Sequence, residues 1–505
     1  MDLDAKMSQA LAGVFWVFLL AGCAVGPDFR PPPAPEGIAY TSGPQTADIL
    51  PAAVALKERQ HLVAATGTDG QWWHAFGSAR LNALIGEAME GNPTLAAAEA
   101  TLRQAQELYA ARAGSTLYPQ VEAGLSAQRQ RFNPEATTGQ TGAAREFSLH
   151  NAEVGVRYTF DLFGGNRRAL EALAARSGYQ QQQLAGARLT LAANIATTAI
   201  TRARLAMQLE AMQNILRAQE EQLELTRVRI RLGHAAPGEA LALQTQTEQT
   251  RAGIPLLRDQ LQQNDHLLAV LVGRAPGAGD PPSFTLEDFV LPRALPLLVP
   301  SELVRARPDI QAAEALLHAA NAEYGVAVSR LYPQITLSAD LGSQALTTSA
   351  LFGSGSLVWN LVAQLTQPLF NPGLPAEKRA ALAAFEAAAA NYQAVVLEAL
   401  RNVADVLRAL ENDSERLLAL SVAEDAARQF LHVTRSRYAL GAASYDELLV
   451  AQQQEQRARL DLLEGQAKRL VNSVTFYQAM GGDRLVAGAE KKASPRHDQE
   501  SALAR

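Results

Sequence analysis

The sequence predicts an α+β membrane protein built from a duplicated unit of a helix, a β-hairpin and long helices. Three observations predict it. The chain repeats itself after about 210 residues, and each copy contains two runs in which apolar and polar side chains alternate. Each pair of runs precedes a long stretch without proline that is rich in Ala, Leu, Gln, Glu and Arg, the strong helix formers.

The N-terminus carries the features of a lipoprotein signal peptide, assigned to residues 1–22. Its apolar core from Leu11 to Leu20 is too short to span a bilayer. LAGC at residues 20–23 resembles a bacterial lipobox, whose cysteine is acylated and becomes the first residue of the mature chain. Cys23 is the only cysteine in 505 residues, so we expect a lipid anchor there and no intramolecular disulfide. A buried structural cysteine is the alternative.

Charge and hydropathy narrow the class of protein. The net charge is −6 without a polybasic face, so nucleic acid is not an expected partner. We find no apolar run of about 18 residues after residue 23, and therefore expect no transmembrane helix. Any membrane crossing is expected to be made by strands.

The duplication sets the predicted domain boundaries. Pro93, Glu99 and Tyr109 return as Pro308, Glu314 and Tyr324, and LYPQ occurs at 117–120 and again at 331–334. We predict an N-terminal segment 23–91, a first repeat 92–273 with a hairpin at 118–163, a linker 274–300, a second repeat 301–482 with a hairpin at 333–370, and a disordered tail 483–505.

Alternation with period two predicts the strands. The runs are roughly 9 to 12 residues long, the length that a strand of an outer-membrane barrel needs. An ordinary soluble sandwich of hairpins would satisfy the same alternation. The predicted apolar faces are Val121, Ala123, Leu125 and Ala127; Val154, Val156, Tyr158, Phe160 and Leu162; Ile335, Leu337, Ala339 and Leu341; and Leu357, Trp359, Leu361, Ala363 and Leu365.

The stretches after the hairpins predict unusually long helices. Residues 166–232 would form a helix of about 100 Å. Leu209, Leu216, Leu223 and Ile230 recur every seven residues, a spacing typical of coiled-coil packing. These stretches are too polar for lipid, so we expect them to project into an aqueous compartment.

The number of strands constrains the assembly. Four strands cannot close a barrel in lipid, where open edges are not tolerated. Two copies would give a barrel filled by side chains, whereas three copies would give 12 strands and a lumen. Glu122, Glu153, Arg157 and Asp340 on the polar faces favour a water-filled lumen, hence a homotrimer with pseudo-six-fold repetition.

Several motifs together resemble one family: CAVGPDFRPP, RPDIQAAEALL, LYPQITLSADLG, PLFNPG and YALGAASYDELLVAQ. The chain is similar to the TolC-like outer-membrane efflux factors, specifically the NodT/OprM-type lipoproteins. The resemblance implies a trimeric 12-stranded outer-membrane β-barrel continued by a periplasmic α-helical barrel, with an equatorial belt. It implies the exit duct of a tripartite pump, joined to a periplasmic adaptor (membrane fusion) protein and an inner-membrane pump of the resistance-nodulation-division type.

The resemblance also implies a gate at a helix tip. Gly233 and Gly441 suit the left-handed position that ends a helix. Tyr438 matches a tyrosine that helps to hold the family's closed state, and Glu447 matches an acidic constriction residue with Asp446 beside it. Val450 stands where many relatives carry aspartate, and a hydrophobic ring there could seal by dewetting. The alternative is that Glu447 is a solvated charge and Tyr438 a packing residue.

Two other functions stay open at this point. The chain could be the exit duct of type I protein secretion, or a structural coiled-coil lipoprotein without a pore. An enzyme is not expected, because no nucleophile–base or carboxylate constellation recurs. The eight histidines show no metal-ligand spacing, so no metal or cofactor is predicted. The expected location is the outer membrane, with the protein lipid-anchored and extending into the periplasm.

Overall fold

The structure is a computed structural model that describes residues 24–33, 39–41, 48–49, 60–65, 70–132, 145–279 and 282–482. The predicted signal peptide, Cys23 and the predicted tail 483–505 lie outside the described residues. Two compact units interleave along the chain. The unit that we call the strand unit comprises Met1–Pro32, Thr101–Gln181 and Ala312–Tyr392, and the remainder forms the helix unit.

The elements confirm the duplicated plan of helix, hairpin and long helices. In the described part of the chain they are β1 (Asp48–Ile49), β2 (Gln60–Ala65), α1 (Ala79–Gly91), α2 (Pro93–Leu117), β3 (Gln120–Phe132), β4 (Arg145–Phe160), α3 (Gly165–Arg231), α4 (Pro237–Val272), β5 (Ala294–Leu298), α5 (Pro300–Ala306), α6 (Pro308–Ser329), β6 (Gln334–Ala345), β7 (Leu357–Thr366), α7 (Gly373–Ala439) and α8 (Tyr445–Ala479), with short 3-10 turns between some of them.

The strand unit contains one antiparallel sheet with the order β3-β4-β6-β7. Its register sets Ala123 opposite Val154 and Val154 opposite Leu341, so the predicted apolar residues share one face. Trp359 on this face is 75% exposed. A continuous apolar face that stays uncovered is the surface a sheet presents to lipid.

β3 and β4 are longer than predicted, at 13 and 16 residues. β4 ends at Phe160, so Leu162, which was predicted on its apolar face, lies after the strand. Pairing continues past the apolar positions, through Arg129 opposite Ser148 and Arg131 opposite Glu146. Backbone hydrogen bonds between antiparallel strands do not depend on apolar side chains. The alternation therefore marks only the apolar part of each strand.

The opposite face of the sheet alternates acids with glycines. Gly155 lies between Glu122 and Asp340, and Glu153 lies between Gly124 and Gly342. A Cβ atom at Gly155 would lie 2.7 Å from the Oδ1 atom of Asp340, and one at Gly342 would lie 2.8 Å from the Cβ atom of Glu153. The glycines thus leave the room that the acidic side chains fill.

An N-terminal segment, residues 24–29, is bound to the strand unit. The Val25 N–H donates to the Phe163 carbonyl over 3.0 Å. Arg168, which is buried, donates to Asp28 and to Glu171 over 2.7 Å each. His318 lies 2.8 Å from Glu171, and its ring stacks on that of Phe29. This cluster fixes the segment that follows Cys23 to α3 and α6.

In the helix unit, β2 pairs with β5 in parallel and with β1 in antiparallel orientation. Beside this sheet, Trp72 is buried and stacks on Tyr477 at a centroid distance of 5.5 Å. α2 begins at Pro93, and the Asn92 side chain caps it by accepting the Thr94 N–H over 2.8 Å.

The structure corrects one expectation about helices. Among the described residues, α7 contains a window that is long and apolar enough to cross a membrane by length and composition. The hydropathy comes mainly from alanine in the stretch AALAAFEAAAANYQAVV. Alanine is also the strongest helix former and packs closely between helices, so composition alone does not distinguish a membrane span from a packed helix.

Candidate gate at the helix tips

The two tips of the helix unit share one geometry. α3 ends before Gly233, whose φ is 75°, and α7 ends before Gly441, whose φ is 73°. The residue after each glycine donates its N–H five residues back, from His234 to the Arg229 carbonyl and from Ala442 to the Arg437 carbonyl, over 2.8 Å in both cases. This is the Schellman ending that the glycines predicted.

The helices that leave the tips begin differently. At α8, Ser444 Oγ accepts the Glu447 N–H over 3.1 Å, and Glu447 Oε2 accepts the Ser444 N–H over 2.9 Å, a complete capping box. At α4, Glu239 accepts the Ala236 N–H over 3.2 Å, but alanine has no side-chain acceptor to return the bond. The carboxylate of Glu447 is therefore engaged by its own helix start, although it is as exposed to solvent as Asp446 beside it.

Tyr438 connects the two helix pairs. The guanidinium of Arg229 on α3 donates a hydrogen bond to the Tyr438 hydroxyl on α7, and its central carbon lies 5.3 Å from the ring centroid. The ring of Tyr438 lies 6.0 Å from that of Tyr445. A charged donor makes this bond stronger than one between neutral groups.

Tyr445 belongs to a buried cluster at the tip that includes Leu223, Leu243 and Leu449, with Tyr438 and Ala240 packed against it. Among the described residues the Tyr445 hydroxyl has no hydrogen-bond partner. Burial raises the pKa of Tyr445, and the nearby Tyr438, Glu239 and Asp446 raise it further. The Tyr445 ring on α8 stays neutral and belongs to a cluster with side chains from α3, α4 and α7.

The structure thus brings the four predicted residues to one turn and gives them different surroundings. Tyr438 contacts the buried cluster, Glu447 completes a cap, Asp446 is exposed, and Val450 is 48% exposed. Ser444, Tyr445 and Arg229 were missed. The spacing S-x-x-E could have revealed Ser444 as a cap, but Arg229 is 209 residues from Tyr438, and no local pattern links them.

Known proteins resemble the chain over most of its length. The pyoverdine export outer membrane protein OpmQ of Pseudomonas putida is 32% identical over 423 residues, which cover 82% of this chain and 88% of the relative. The probable outer membrane lipoprotein SilC of Salmonella typhimurium is 26% identical over 94% of this chain and 98% of its own length. The solved outer-membrane channel OprN is 27% identical with a TM-score of 0.80, covering 91% of this chain and 99% of OprN.

The family described as "Outer membrane efflux protein" matches twice, at residues 84–274 and at residues 299–482. Each match spans one copy of the helix, hairpin and long-helix unit described above. Together the two matches cover more than half of the chain. The chain therefore belongs to the outer membrane efflux protein family.

Proposed function

We propose that this chain is the outer-membrane exit duct of a tripartite efflux pump and passes drugs, toxic compounds or metal ions to the outside. The observation that supports this most directly is the four-stranded sheet, with an uncovered apolar face, a polar opposite face and helices of 67 residues leaving its base. Relatives named as efflux proteins support the same function. The duct performs transport without a reaction of its own.

The duct would be a homotrimer. β3 and β7 are the edges of the sheet, and an open edge is not tolerated in lipid. Three copies supply 12 strands, enough to close around a lumen. A periplasmic adaptor and an inner-membrane resistance-nodulation-division pump would complete the assembly and supply the energy.

Two further assignments belong to this proposal. Cys23 would carry the lipid, and the bound segment 24–29 would hold that anchor beside the base of the sheet, because the Val25 N–H bonds to Phe163 directly after β4. Tyr438, Glu447, Asp446 and Val450 would form the periplasmic gate. Tyr438 packs against the buried cluster, whereas Val450 is 48% exposed. In a trimer, three exposed Val450 side chains would pack against one another when the constriction closes.

Planar-bilayer conductance combined with gel mobility tests the proposal. The purified chain should run as a heat-modifiable trimer and give discrete ion-conducting channels. A coiled-coil lipoprotein without a pore would give neither result. Type I secretion, the alternative function, is tested by returning the gene to a strain that lacks the protein. We expect resistance to small toxic compounds to be restored. Restored export of a protein substrate without restored resistance would favour type I secretion instead.

A further inference from the structure

We propose that Phe370 of one protomer stacks on Tyr118 of the partner subunit, and that β7 pairs with the partner's β3 in the register that this contact sets. The proposal rests on the trimer of the proposed function and specifies how its copies join. It follows from the duplication, because every contact between the first and second repeat within a chain has an equivalent between the second repeat and the first repeat of the next chain.

The contact within the chain provides the template. Phe163, directly after β4, stacks on Tyr332 with ring centroids 4.7 Å apart and planes 21° from parallel. Leu162 and Phe163 correspond to Leu369 and Phe370, and Tyr332 in the second LYPQ corresponds to Tyr118 in the first. In the single chain Phe370 is 89% exposed and Tyr118 is 67% exposed. The equivalent residues, Tyr118 and Phe370, therefore lie at opposite edge strands of the sheet, and within the described residues of one chain they do not stack on each other.

The helices of the strand unit also differ in how well they are covered, since α3 of the first repeat has neighbours that its counterpart α7 in the second repeat lacks. α3 is linked to α2 by Arg112 and Asn166, and to α6 by Arg176 and Glu323, over 3.4 and 2.5 Å. The first turns of α3 are accordingly buried, with Arg168, Leu170, Ala172 and Ala175 below one-tenth exposure.

The equivalent part of α7 lacks this cover. Its Glu377 is joined to Arg330, at the end of α6, over 3.0 Å, yet no residue of 373–389 is buried. By the pattern of α3, the missing neighbour is an α2 helix, whose residues 101–117 also include no buried residue. The partner's α2 would cover the apolar window of α7, the same window that has the composition of a membrane span.

In the β4–β6 pairing, Gly155 lies opposite Asp340. By the same repeat correspondence Gly155 matches Val362 and Asp340 matches Ser126, so the transferred register pairs Val362 with the partner's Ser126. The face assignment agrees, since Leu361, Ala363 and Leu365 on the apolar face would meet Ala127, Leu125 and Ala123 on the apolar face of the partner's β3. Across the sheet, Ala123 lies opposite Val154, Val154 opposite Leu341, and Leu341 opposite Trp359. In the transferred register Trp359 lies opposite the partner's Arg129, so one protomer shifts the position along β3 by six residues. With 12 strands this corresponds to a tilt of about 45°, within the range of outer-membrane barrels, whereas a register two residues longer needs about 55°.

Disulfide trapping tests the register in the full-length chain. Ser126→Cys with Val362→Cys places two thiols opposite each other on the polar face, where an oxidant can reach them. The matched control is Ser126→Cys with Val358→Cys, four residues or about 13 Å out of register, beyond the reach of a disulfide. We expect at least ~10-fold more covalent oligomer from the first pair than from the control or from either single variant.

The outcomes separate this inference from the proposed function. A conducting trimer in which Gln128→Cys with Val362→Cys cross-links in preference to the first pair would overturn the register and leave the duct intact. Absence of any trimer would overturn both. Independently, Phe370→Ala should lower the temperature at which the trimer dissociates, whereas Phe352→Ala should not, since Phe352 is 81% exposed but lies in the β6–β7 loop. Equal shifts for both variants would overturn the stacking contact.

Discussion

The Glu447 carboxylate caps the start of α8, and in the proposed gate its charge would have a second role. Its charge is what a ring of constriction residues would use, since like charges around a narrow axis repel one another and attract cations. Its oxygen also accepts the Ser444 N–H and so completes the start of α8. Substitution by alanine would remove both properties at once and could not distinguish them.

Two conservative variants separate charge from cap. Glu447→Gln removes the charge but keeps a side chain that suits a capping box, whereas Ser444→Ala keeps the charge and removes half of the box. If the charge gates the duct, Glu447→Gln should change the conductance and its dependence on cations, while Ser444→Ala should destabilise the helix start by about 1 kcal/mol. Single-channel recording and thermal unfolding measure the two effects. Equal conductance in both variants and the parent chain would remove the Glu447 charge from the gate.

Tyr438 and Tyr445 offer a matched pair of hydroxyls in one cluster. Tyr438→Phe removes the acceptor of the Arg229 bond and should raise conductance by favouring separation of the two helix pairs. Tyr445→Phe removes a buried hydroxyl that has no partner among the described residues, so stability should be unchanged or higher by up to about 1 kcal/mol. Antibiotic leak through the two variants provides the comparison in cells. A leak from Tyr445→Phe equal to that from Tyr438→Phe would contradict a specific role for the Arg229 bond.

At the scale of elements, the segment 24–29 depends on a set of charges. Burial by itself would raise the pKa of Glu171, but hydrogen bonds from Arg168 and His318 and their charges outweigh it, and the pKa lies below the ordinary value of 4.5. A carboxyl with a lowered pKa stabilises the folded arrangement above the unfolded pKa, and this stabilisation is lost as the pH falls through the folded-state pKa.

The binding of this segment should therefore weaken in acid. Hydrogen exchange at the Val25 amide, which bonds to Phe163, should be constant from neutral pH to about pH 4.5 after correction for the intrinsic rate, and its protection should fall at lower pH. In Glu171→Gln the protection should be lower at neutral pH and nearly independent of pH. A pH profile unaltered by that substitution would show that another group controls the segment.

The elements also show what sequence patterns can predict. The long helix expected at 166–232 runs from Gly165 to Arg231, because strong helix formers without proline leave few alternatives. The three-stranded sheet of β1, β2 and β5 was not predicted. β2 and β5 have six and five residues, and β5 includes Pro296, so each is too short and irregular for a period-two signal.

The tip shows the corresponding limit for the candidate site. Glycine positions and the cap spacing are local signals, and they hold at Gly233, Gly441 and Ser444. The Arg229 contact is not local. Arg229 corresponds by repeat to Arg437, which instead donates to the Ala442 carbonyl over 3.0 Å, so even the duplication does not reveal that the two arginines have different partners.

For the whole molecule, the polar face of the sheet predicts ion selectivity. Glu122, Glu153 and Asp340 make no ion pair with any described cation, although Glu153 accepts a hydrogen bond from Asn151. In a closed barrel these carboxylates would face the lumen and favour cations.

Neutralising all three, with Glu122→Gln, Glu153→Gln and Asp340→Asn together, should reduce the preference for potassium over chloride several-fold. The reversal potential in a salt gradient measures this preference. Glu146→Gln is the control, because Glu146 is paired with Arg129 over 3.2 Å. If the reversal potential is the same in the triple variant and the parent, the acids do not line the conducting path.

The differences between the two tips carry an evolutionary consequence. A chain with a single repeat could build a similar ring only from six identical copies, and every pair of helices would then be joined by the same tip. In this chain one tip has a complete capping box at Ser444 and the other only half of one at Ala236. Fusion of two copies into one gene allows alternate helix pairs to acquire separate mutations. One set of helix pairs can then become mobile while the neighbouring set stays rigid.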